Sequence, residues 1–198
     1  MEGVNQVIEM AKQTSVMEWI AVLCLVIYIW LIARENVLAW PFGIIGSAIY
    51  IWICYTSHLF LDAGLQVFYV AFGIIGWMKW KETGNRTHIQ QWPLKKHLIW
   101  LLTGGISILL LGWLAAQHTS QQSPYVDAFI FVFSLIATYF TAEKILENWM
   151  YWIVVDAVAV GLFYSKELYL TSLLYVIYTI LALIGWFKWK GELKKEEV

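Results

Sequence analysis

The sequence predicts an all-α integral membrane protein with seven transmembrane helices, and three observations lead to this fold class. First, 61% of the 198 residues are hydrophobic and 14% are charged, whereas soluble domains average about 25% charged residues. Second, the apolar residues fall into seven runs separated by polar segments. Third, a stretch near residue 73 recurs near residue 182, which indicates an internal repeat. Because a backbone in lipid must satisfy its own hydrogen bonds, apolar runs of this length are expected to be helices.

The first three apolar runs form the first unit of the predicted repeat and extend over about residues 18–33, 37–55 and 60–80. A polar segment at 34–36 ends the first run. Pro41 lies in the first turn of the second run, where a proline is tolerated. A tight turn at 56–58 leads into the third run, which carries Gln66 in its first half.

The fourth run, about residues 97–116, is predicted to be a linker helix. The longest polar segment of the chain, 81–96, precedes it, and a short uncharged loop, 117–123, follows it. The last three runs form the second unit, at about residues 125–142, 148–164 and 168–189. A charged tail then closes the chain.

The repeat is found by shifting the chain by 109 residues, which places GIIGWMKWK at 73–81 on ALIGWFKWK at 182–190. The same shift pairs Tyr69 with Tyr178 without a gap. One unpaired run lies between the copies, so both copies have the same orientation in the membrane. The sequence therefore predicts a 3+1+3 parallel repeat, an arrangement found in small transporters. The predicted units are an N-terminal segment, a first three-helix repeat, a cytoplasmic loop with the linker helix, a second repeat and a cytoplasmic tail, at 1–16, 17–81, 82–124, 125–190 and 191–198.

The basic residues predict the orientation of the chain in the membrane. Eleven of the thirteen Lys and Arg residues fall on one side of the predicted bilayer, and only Lys12 and Lys166 fall on the other. Because basic loops stay in the cytoplasm, we expect the N-terminus outside and the C-terminus inside. Four tryptophans beside lysines at the cytoplasmic helix ends are predicted to be anchors in the interfacial belt: Trp77, Trp80, Trp186 and Trp189.

Asp156 is the most informative polar residue, because it lies near the middle of the sixth run. A carboxylate at that depth costs about 2.5–3.5 kcal/mol, so it normally faces a wet cavity, a partner helix or a ligand. Trp149 and Trp152 precede it at spacings of seven and four residues, which place two indoles on the same helix face. This pattern predicts a receptor for a small, flat cation. The alternatives are an interhelical hydrogen bond for Asp156 and belt positions for the tryptophans.

Several classes of function find no support in the sequence. It contains no P-loop, no GxSxG and no HExxH motif, and no histidine lies in the middle of a run, so we do not expect an enzyme. Cys24 and Cys54 lie within apolar runs and are interpreted as packing residues. The histidines have no partners at metal-ligand spacing, so no metal and no cofactor are predicted. The net charge of −1 argues against a nucleic-acid partner.

Three stretches of the chain resemble the PnuC-type nicotinamide riboside transporter family. They are WPFGIIGSAIY in the second run, LQVFYVAFGIIGW in the third and ENWMYWIVVD in the sixth, and the resemblance extends over about residues 17–189. It implies a fold like the SWEET sugar transporters and a multi-pass protein of the bacterial inner (plasma) membrane. It also implies facilitated diffusion of nicotinamide riboside, which is then trapped by phosphorylation in the cytoplasm. A homo-oligomer, a trimer, is implied as well.

The same resemblance implies a substrate site between the two repeats, with Gln66, Asn148, Trp149 and Trp152 as binding residues. Asp156, Tyr69 and Tyr178 complete the set of substrate-binding residues that we expect. The family tends to carry Asn near the positions of Gly46, Gly73 and Asp156. These departures favour thiamine, the ligand of the PnuT sister branch, as an alternative substrate. More remote alternatives are a membrane binding subunit and a carrier of a small sugar.

Overall fold

The computed structural model of the chain describes most of the sequence, namely residues 8–9, 11–12, 14–56, 60–83, 88–119 and 122–196. Parts of the predicted organisation lie outside these residues. They include most of the N-terminal segment, the turn at 56–58 beyond residue 56, the stretch of the polar loop around Arg86, and the last two residues of the tail.

Seven long helices form the described part of the chain: α1 (Val16–Ile32), α2 (Ala39–Thr56), α3 (Phe60–Thr83), α4 (Leu94–His118), α5 (Pro124–Ala142), α6 (Asn148–Ser165) and α7 (Tyr169–Glu196). The all-α prediction is confirmed. Four helices, α2, α4, α5 and α7, are each long and apolar enough to cross a membrane. α1 is apolar but has 17 residues. The predicted tail is helical as far as Glu196, because lysines in the last turn suit the negative end of a helix dipole.

Six of the helices form a closed ring. α1 packs against α2, α2 against α3, α3 against α5, α5 against α6, α6 against α7, and α7 returns to α1. α4 lies outside the ring and packs against α5. α2 packs against both α1 and α3, so the second helix of the first three is also the middle one in space. This ring leaves room along its centre.

Two turns at the same end of the ring have the same construction. Glu35 and Lys144, which are 109 residues apart, adopt left-handed backbone conformations with φ of 53° and 54°. In each turn the N–H of the next residue donates to a carbonyl five residues earlier, from Asn36 to Leu31 and from Ile145 to Phe140. This is the hydrogen bond of a Schellman cap, which satisfies a carbonyl at a helix C-terminus. The internal repeat thus extends to backbone conformation.

Four buried tryptophans form a layer across the same end of the ring. Trp40 packs on α3 at Gly76, and Trp149 packs on α7 at Gly185, where an added Cβ would come within 2.4 Å and 2.6 Å of the indole rings. The ring of Trp80 meets Trp40 edge to face with centroids 5.3 Å apart, and Trp189 meets Trp149 at 5.4 Å. We call this the tryptophan layer.

The belt prediction for two of these tryptophans is wrong. Trp80 and Trp189 are 3% and 0% exposed, so neither lies at a lipid interface. The Trp80 indole N–H donates to the Ala142 carbonyl at 3.1 Å, and that of Trp189 donates to the Ile32 carbonyl at 3.2 Å. Both acceptors lie in the last turn of a helix from the other half of the chain, where carbonyls lack intrahelical partners. A buried indole N–H needs an acceptor, and these carbonyls provide one.

Candidate ligand-binding site

A cavity of about 920 Å³ occupies the centre of the helix ring. Residues from all seven helices line it. Its volume lies at the upper end of the range of roughly 300–1,000 Å³ that is typical of small-molecule sites. The ring of helices therefore encloses a space large enough for a vitamin-sized ligand.

The cavity has one open end and one sealed end. At the open end its lining includes His118, Thr119 and Leu168, which are exposed, and an ion pair between Lys166 and Asp127 with 3.2 Å between the charged atoms. At the sealed end its lining includes Trp40 and Trp149 of the tryptophan layer, which are 1% and 2% exposed. The cavity is therefore accessible at the open end, and the tryptophan layer closes it at the other.

Ion pairs reinforce the sealed end. Lys144 pairs with Glu35 at 2.8 Å, and its ammonium group also lies 4.9 Å from the centre of the Trp80 ring. Lys79 pairs with Glu143. Each of these contacts joins one half of the chain to the other, so polar groups connect the two halves at the sealed end.

Six of the seven predicted binding residues line this cavity: Gln66, Tyr69, Trp149, Trp152, Asp156 and Tyr178. The seventh, Asn148, is fully buried behind the wall. Its side-chain amide donates to the Ile145 carbonyl at 2.7 Å, and its side-chain oxygen accepts from the Thr141 hydroxyl at 3.1 Å. Asn148 therefore contacts the wall of the cavity rather than its interior.

Asp156 is 4% exposed and has no ion-pair partner among the described residues. Tyr69 of α3 and Tyr178 of α7 lie close enough to interact electrostatically with its carboxylate. Trp152 stands one helical turn before Asp156 on the same face of α6. The cavity thus combines one buried acidic group with aromatic rings, an arrangement suited to a cation that carries a flat ring.

Other polar atoms in the cavity wall also lack partners in the described part of the chain. They include the side-chain oxygen of Gln66, the hydroxyl of Tyr178 and the indole N–H of Trp149. Buried polar groups are normally hydrogen-bonded, and each exception calls for an explanation. A polar ligand would supply partners for the groups that face the cavity.

Sequence reasoning missed a row of hydroxyl groups along α5. Ser134, Thr138 and Thr141 are all buried, all line the cavity, and follow one another at helical spacings of four and three residues. Their repeat mates in α1 are Leu25, Ile29 and Ile32, which also line the cavity. One wall is therefore apolar and the opposite wall carries hydroxyls. The spacing of the hydroxyls in the fifth run was the available signal.

A second polar cluster was also missed, and it lies outside the cavity. His97 of α4 is 8% exposed, with its Nδ1 atom 3.2 Å from the Tyr151 hydroxyl and its Nε2 atom 3.6 Å from a Glu147 carboxylate oxygen. The same carboxylate oxygen accepts from the backbone N–H of Trp92 at 3.3 Å. This cluster ties the start of α4 to the start of α6, the helix that carries Trp152 and Asp156.

In the described part of the chain, six of the seven long helices surround a central cavity that opens at one end, and this is the architecture of a multi-pass membrane transporter. The particular family follows from comparison with known sequences. The family described as nicotinamide mononucleotide transporter matches residues 15–191, and the chain belongs to it. The resemblance to PnuC-type transporters is thereby confirmed.

Curated relatives of the chain are transporters of vitamins. Nicotinamide riboside transporter PnuC of Escherichia coli is 27% identical over 187 residues, covering 80% of this chain and 78% of the relative. Riboflavin/roseoflavin transporter RibM of Streptomyces davaonensis is 27% identical over 164 residues, covering 79% and 76%. PnuC of Neisseria mucosa is 23% identical over 209 residues, covering 98% and 79%. The chain is a membrane vitamin transporter of this kind.

A solved structure shares the fold. The crystal structure of the vitamin B3 transporter PnuC superposes with a TM-score of 0.75 over 98% of this chain and 88% of the other, at 19% sequence identity. At that level of identity the likeness shows the architecture alone.

Proposed function

We propose that this chain imports nicotinamide riboside across the bacterial inner membrane by facilitated diffusion. The observation that carries the proposal is the buried Asp156 carboxylate beside the Trp152 ring in the central cavity. Nicotinamide riboside has a flat pyridinium ring with a fixed positive charge. A carboxylate in a low-dielectric cavity favours such a ring over a neutral one.

The substrate-binding residues that we propose are Gln66, Tyr69, Trp149, Trp152, Asp156 and Tyr178, with Asn148 supporting the wall from behind. The hydroxyls of Ser134 and Thr138 would contact the ribose, because a sugar offers several donors and acceptors. The apolar wall of α1 would contact one flat face of the ring. This division between the two walls supports a substrate with one flat end and one polar end.

The transport mechanism that we propose is alternating access between two halves in a 3+1+3 parallel arrangement, with α1–α3 and α5–α7 as the halves and α4 as the linker. The similar turns at Glu35 and Lys144 and the paired tryptophans support it. Arg34, Lys79, Lys144 and Lys190 belong to the helix ends around the sealed end. Since basic residues favour the cytoplasm, the sealed end is cytoplasmic, the cavity opens outward and the C-terminus is inside.

Facilitated diffusion is supported by the composition of the cavity. Its acidic lining groups among the described residues are Asp156 at depth and Asp127 at the open end, where Asp127 is paired with Lys166. Intramembrane proton relays use chains of ionisable residues. Phosphorylation by a separate cytoplasmic enzyme would then retain the substrate.

Thiamine is the second candidate, because its thiazolium ring is also cationic and would be served by Asp156. The choice between the two substrates also depends on Gly46 and Gly73, two positions where the family tends to carry Asn. An added Cβ at Gly46 would come within 2.9 Å of the Leu25 side chain, and one at Gly73 within 2.8 Å of Ile44. Glycines at these positions carry no amide side chain, so the ribose contacts that Asn would make are missing. Riboflavin, the ligand named for one relative, is neutral and gains nothing from Asp156.

Uptake into liposomes that contain the purified full-length chain tests the proposal. Labelled nicotinamide riboside, thiamine and riboflavin are compared, with empty liposomes and the Trp152→Ala variant as controls. We expect saturable uptake of nicotinamide riboside that stops at equal inside and outside concentrations and is insensitive to protonophores. Uptake of thiamine alone would replace the substrate, and accumulation above the outside concentration would overturn facilitated diffusion.

A further inference from the structure

We propose that Thr141 is a positioning residue whose hydroxyl holds the indole of Trp152 in place as part of the cavity wall. The inference rests on the proposed function in so far as Trp152 contacts the substrate. Thr141 belongs to the last turn of α5, whereas Trp152 belongs to the second turn of α6, so the contact joins two helices of the ring.

The hydroxyl of Thr141 lies at the centre of a short hydrogen-bond chain. Its oxygen accepts from the indole N–H of Trp152 at 3.3 Å. Its proton donates toward the Ala137 carbonyl at 2.9 Å or the Asn148 side-chain oxygen at 3.1 Å. Asn148 is held in turn by its own bond to the Ile145 carbonyl. Each member of the chain is therefore oriented by the next.

Burial makes this chain rigid. Thr141 is 1% exposed and Asn148 is 0% exposed, so water does not compete for their hydrogen bonds. Trp152 is only partly buried and lines the cavity. The network thus connects two buried side chains, Thr141 and Asn148, to the Trp152 indole, which a ligand in the cavity would contact. A hydrogen bond in such surroundings is strong when made and costly to leave unmade.

Comparison with the first half of the chain shows whether the hydrogen-bond network is needed for folding of the turn. The positions equivalent to Thr141, Asn148 and Trp152 in the first half are Ile32, Ala39 and Gly43, so all three members of the network are absent there. The turn between the helices nevertheless has a left-handed residue at the equivalent position, and the equivalent backbone hydrogen bond, in both halves. The network is therefore not required to build the turn. It belongs to one wall of the cavity.

A spectroscopic experiment tests the positioning directly and needs no substrate. The protein is labelled with 5-fluorotryptophan, and the fluorine signal of Trp152 is assigned by its loss in Trp152→Phe. In Thr141→Val, which keeps the side-chain shape and removes the hydroxyl, we expect the Trp152 signal to shift and broaden. Thr141→Ser, which retains the hydroxyl, should leave that signal at its parent position. An unchanged Trp152 signal in Thr141→Val would overturn the proposal.

The matched control is Thr103→Val on α4. The Thr103 hydroxyl bonds to the Ile99 and Trp100 carbonyls of its own helix, and Thr103 does not line the cavity. The same chemical change there should leave the Trp152 signal in place. If Thr141→Val does not yield folded protein, Thr141→Ala, which lacks the hydroxyl, is compared with Thr141→Ser, which retains it. Equal Trp152 signals in those two variants would also overturn the proposal.

Transport measurements supply a second, functional test. For whichever ligand the parent takes up, we expect Thr141→Val to raise KM about fivefold to tenfold, the loss of one hydrogen bond, with little change in kcat and with recovery in Thr141→Ser. In a Trp152→Phe background, which lacks the indole N–H, the same substitution should change KM less than twofold. An equal effect in both backgrounds would show that Thr141 does not act through Trp152. If nicotinamide riboside is not a ligand, the proposed substrate fails while the fluorine result still decides the role of Thr141.

Discussion

Glu35 and Lys144 occupy equivalent positions in the two halves of the chain and form an ion pair with each other, with 2.8 Å between the charged atoms. The pair lies at the sealed end, where the Lys144 ammonium group is 4.9 Å from the centre of the Trp80 ring of the tryptophan layer. Its side chains are unequally buried, with 5% of the Lys144 side chain exposed and 26% of that of Glu35.

This difference in burial predicts unequal effects of breaking the pair. Glu35→Gln removes the carboxylate from a deeply buried ammonium group and should destabilise the protein by about 2 kcal/mol, the usual contribution of a hydrogen bond between charged groups. Lys144→Met leaves a carboxylate that water reaches, and it should cost less. Thermal unfolding of the purified variants in detergent measures both. A larger loss of stability in Lys144→Met than in Glu35→Gln would contradict this account of the pair.

The glycines beneath the tryptophan layer predict a second effect. Gly185→Ala would place a Cβ 2.6 Å from the Trp149 ring, and the ring must move to relieve the overlap. We expect a loss of about 1–3 kcal/mol together with reduced uptake. Gly161→Ala on α6 is the matched control, since nothing lies within 4 Å of its added Cβ. Similar stability in the two variants would show that the packing of Trp149 on α7 is not required.

The indole N–H groups of Trp80 and Trp189 donate to carbonyls in the other half of the chain, so their removal should weaken the closure of the sealed end. Trp80→Phe with Trp189→Phe keeps an aromatic ring at both positions and removes both hydrogen bonds, each worth about 1 kcal/mol. The sealed end should then open more often. The measurement uses a variant without Cys24 and Cys54 that carries Thr138→Cys. A membrane-impermeant thiol reagent is added on the side of the sealed end, and the rate of labelling is compared with that of the parent. Labelling at the parent rate would exclude these bonds as part of the closure.

Asp156→Asn separates charge from polarity at the centre of the cavity. The substitution keeps the side-chain shape and removes the charge, so it should weaken uptake of a cationic substrate at least tenfold, about 1.4 kcal/mol. Riboflavin, which is neutral, should be affected much less if it is taken up at all. Competition between the two ligands in the same liposomes measures the difference. Equal losses for both would assign Asp156 a structural role.

The ion pair at the open end predicts a dependence on salt. Lys166→Met removes the cation beside Asp127 and leaves the mouth of the cavity more negative. Uptake of a cationic substrate at low concentration should therefore accelerate, and the gain should fade as ionic strength rises and charges are screened. Initial rates at about 10 mM and 300 mM salt measure this effect. A gain that persists unchanged at high salt would exclude electrostatic attraction as its cause.

The positions of the helices were predicted closely from the sequence because the bilayer imposes a simple rule on composition. The predicted sixth run, 148–164, differs from α6 by one residue, and the fifth run differs from α5 by one residue. The repeat was also visible, since it depends on matching letters at a fixed distance. Asp156 and Trp152 were found because a charge in an apolar run and a helical spacing are properties of a single helix.

Contacts between helices were decided only by the tertiary structure. Trp80 and Trp189 have the same sequence surroundings as belt tryptophans, and their burial depends on carbonyls that lie 62 and 157 residues away. Asn148 was predicted from the sequence to bind the substrate, whereas its position behind the cavity wall, where its side-chain oxygen accepts from the Thr141 hydroxyl, is known only from the structure. Hydropathy and helical periodicity determine which residues enter the membrane and which share a face. Which neighbour satisfies each buried donor depends on how six helices close into a ring, and no local pattern contains that information.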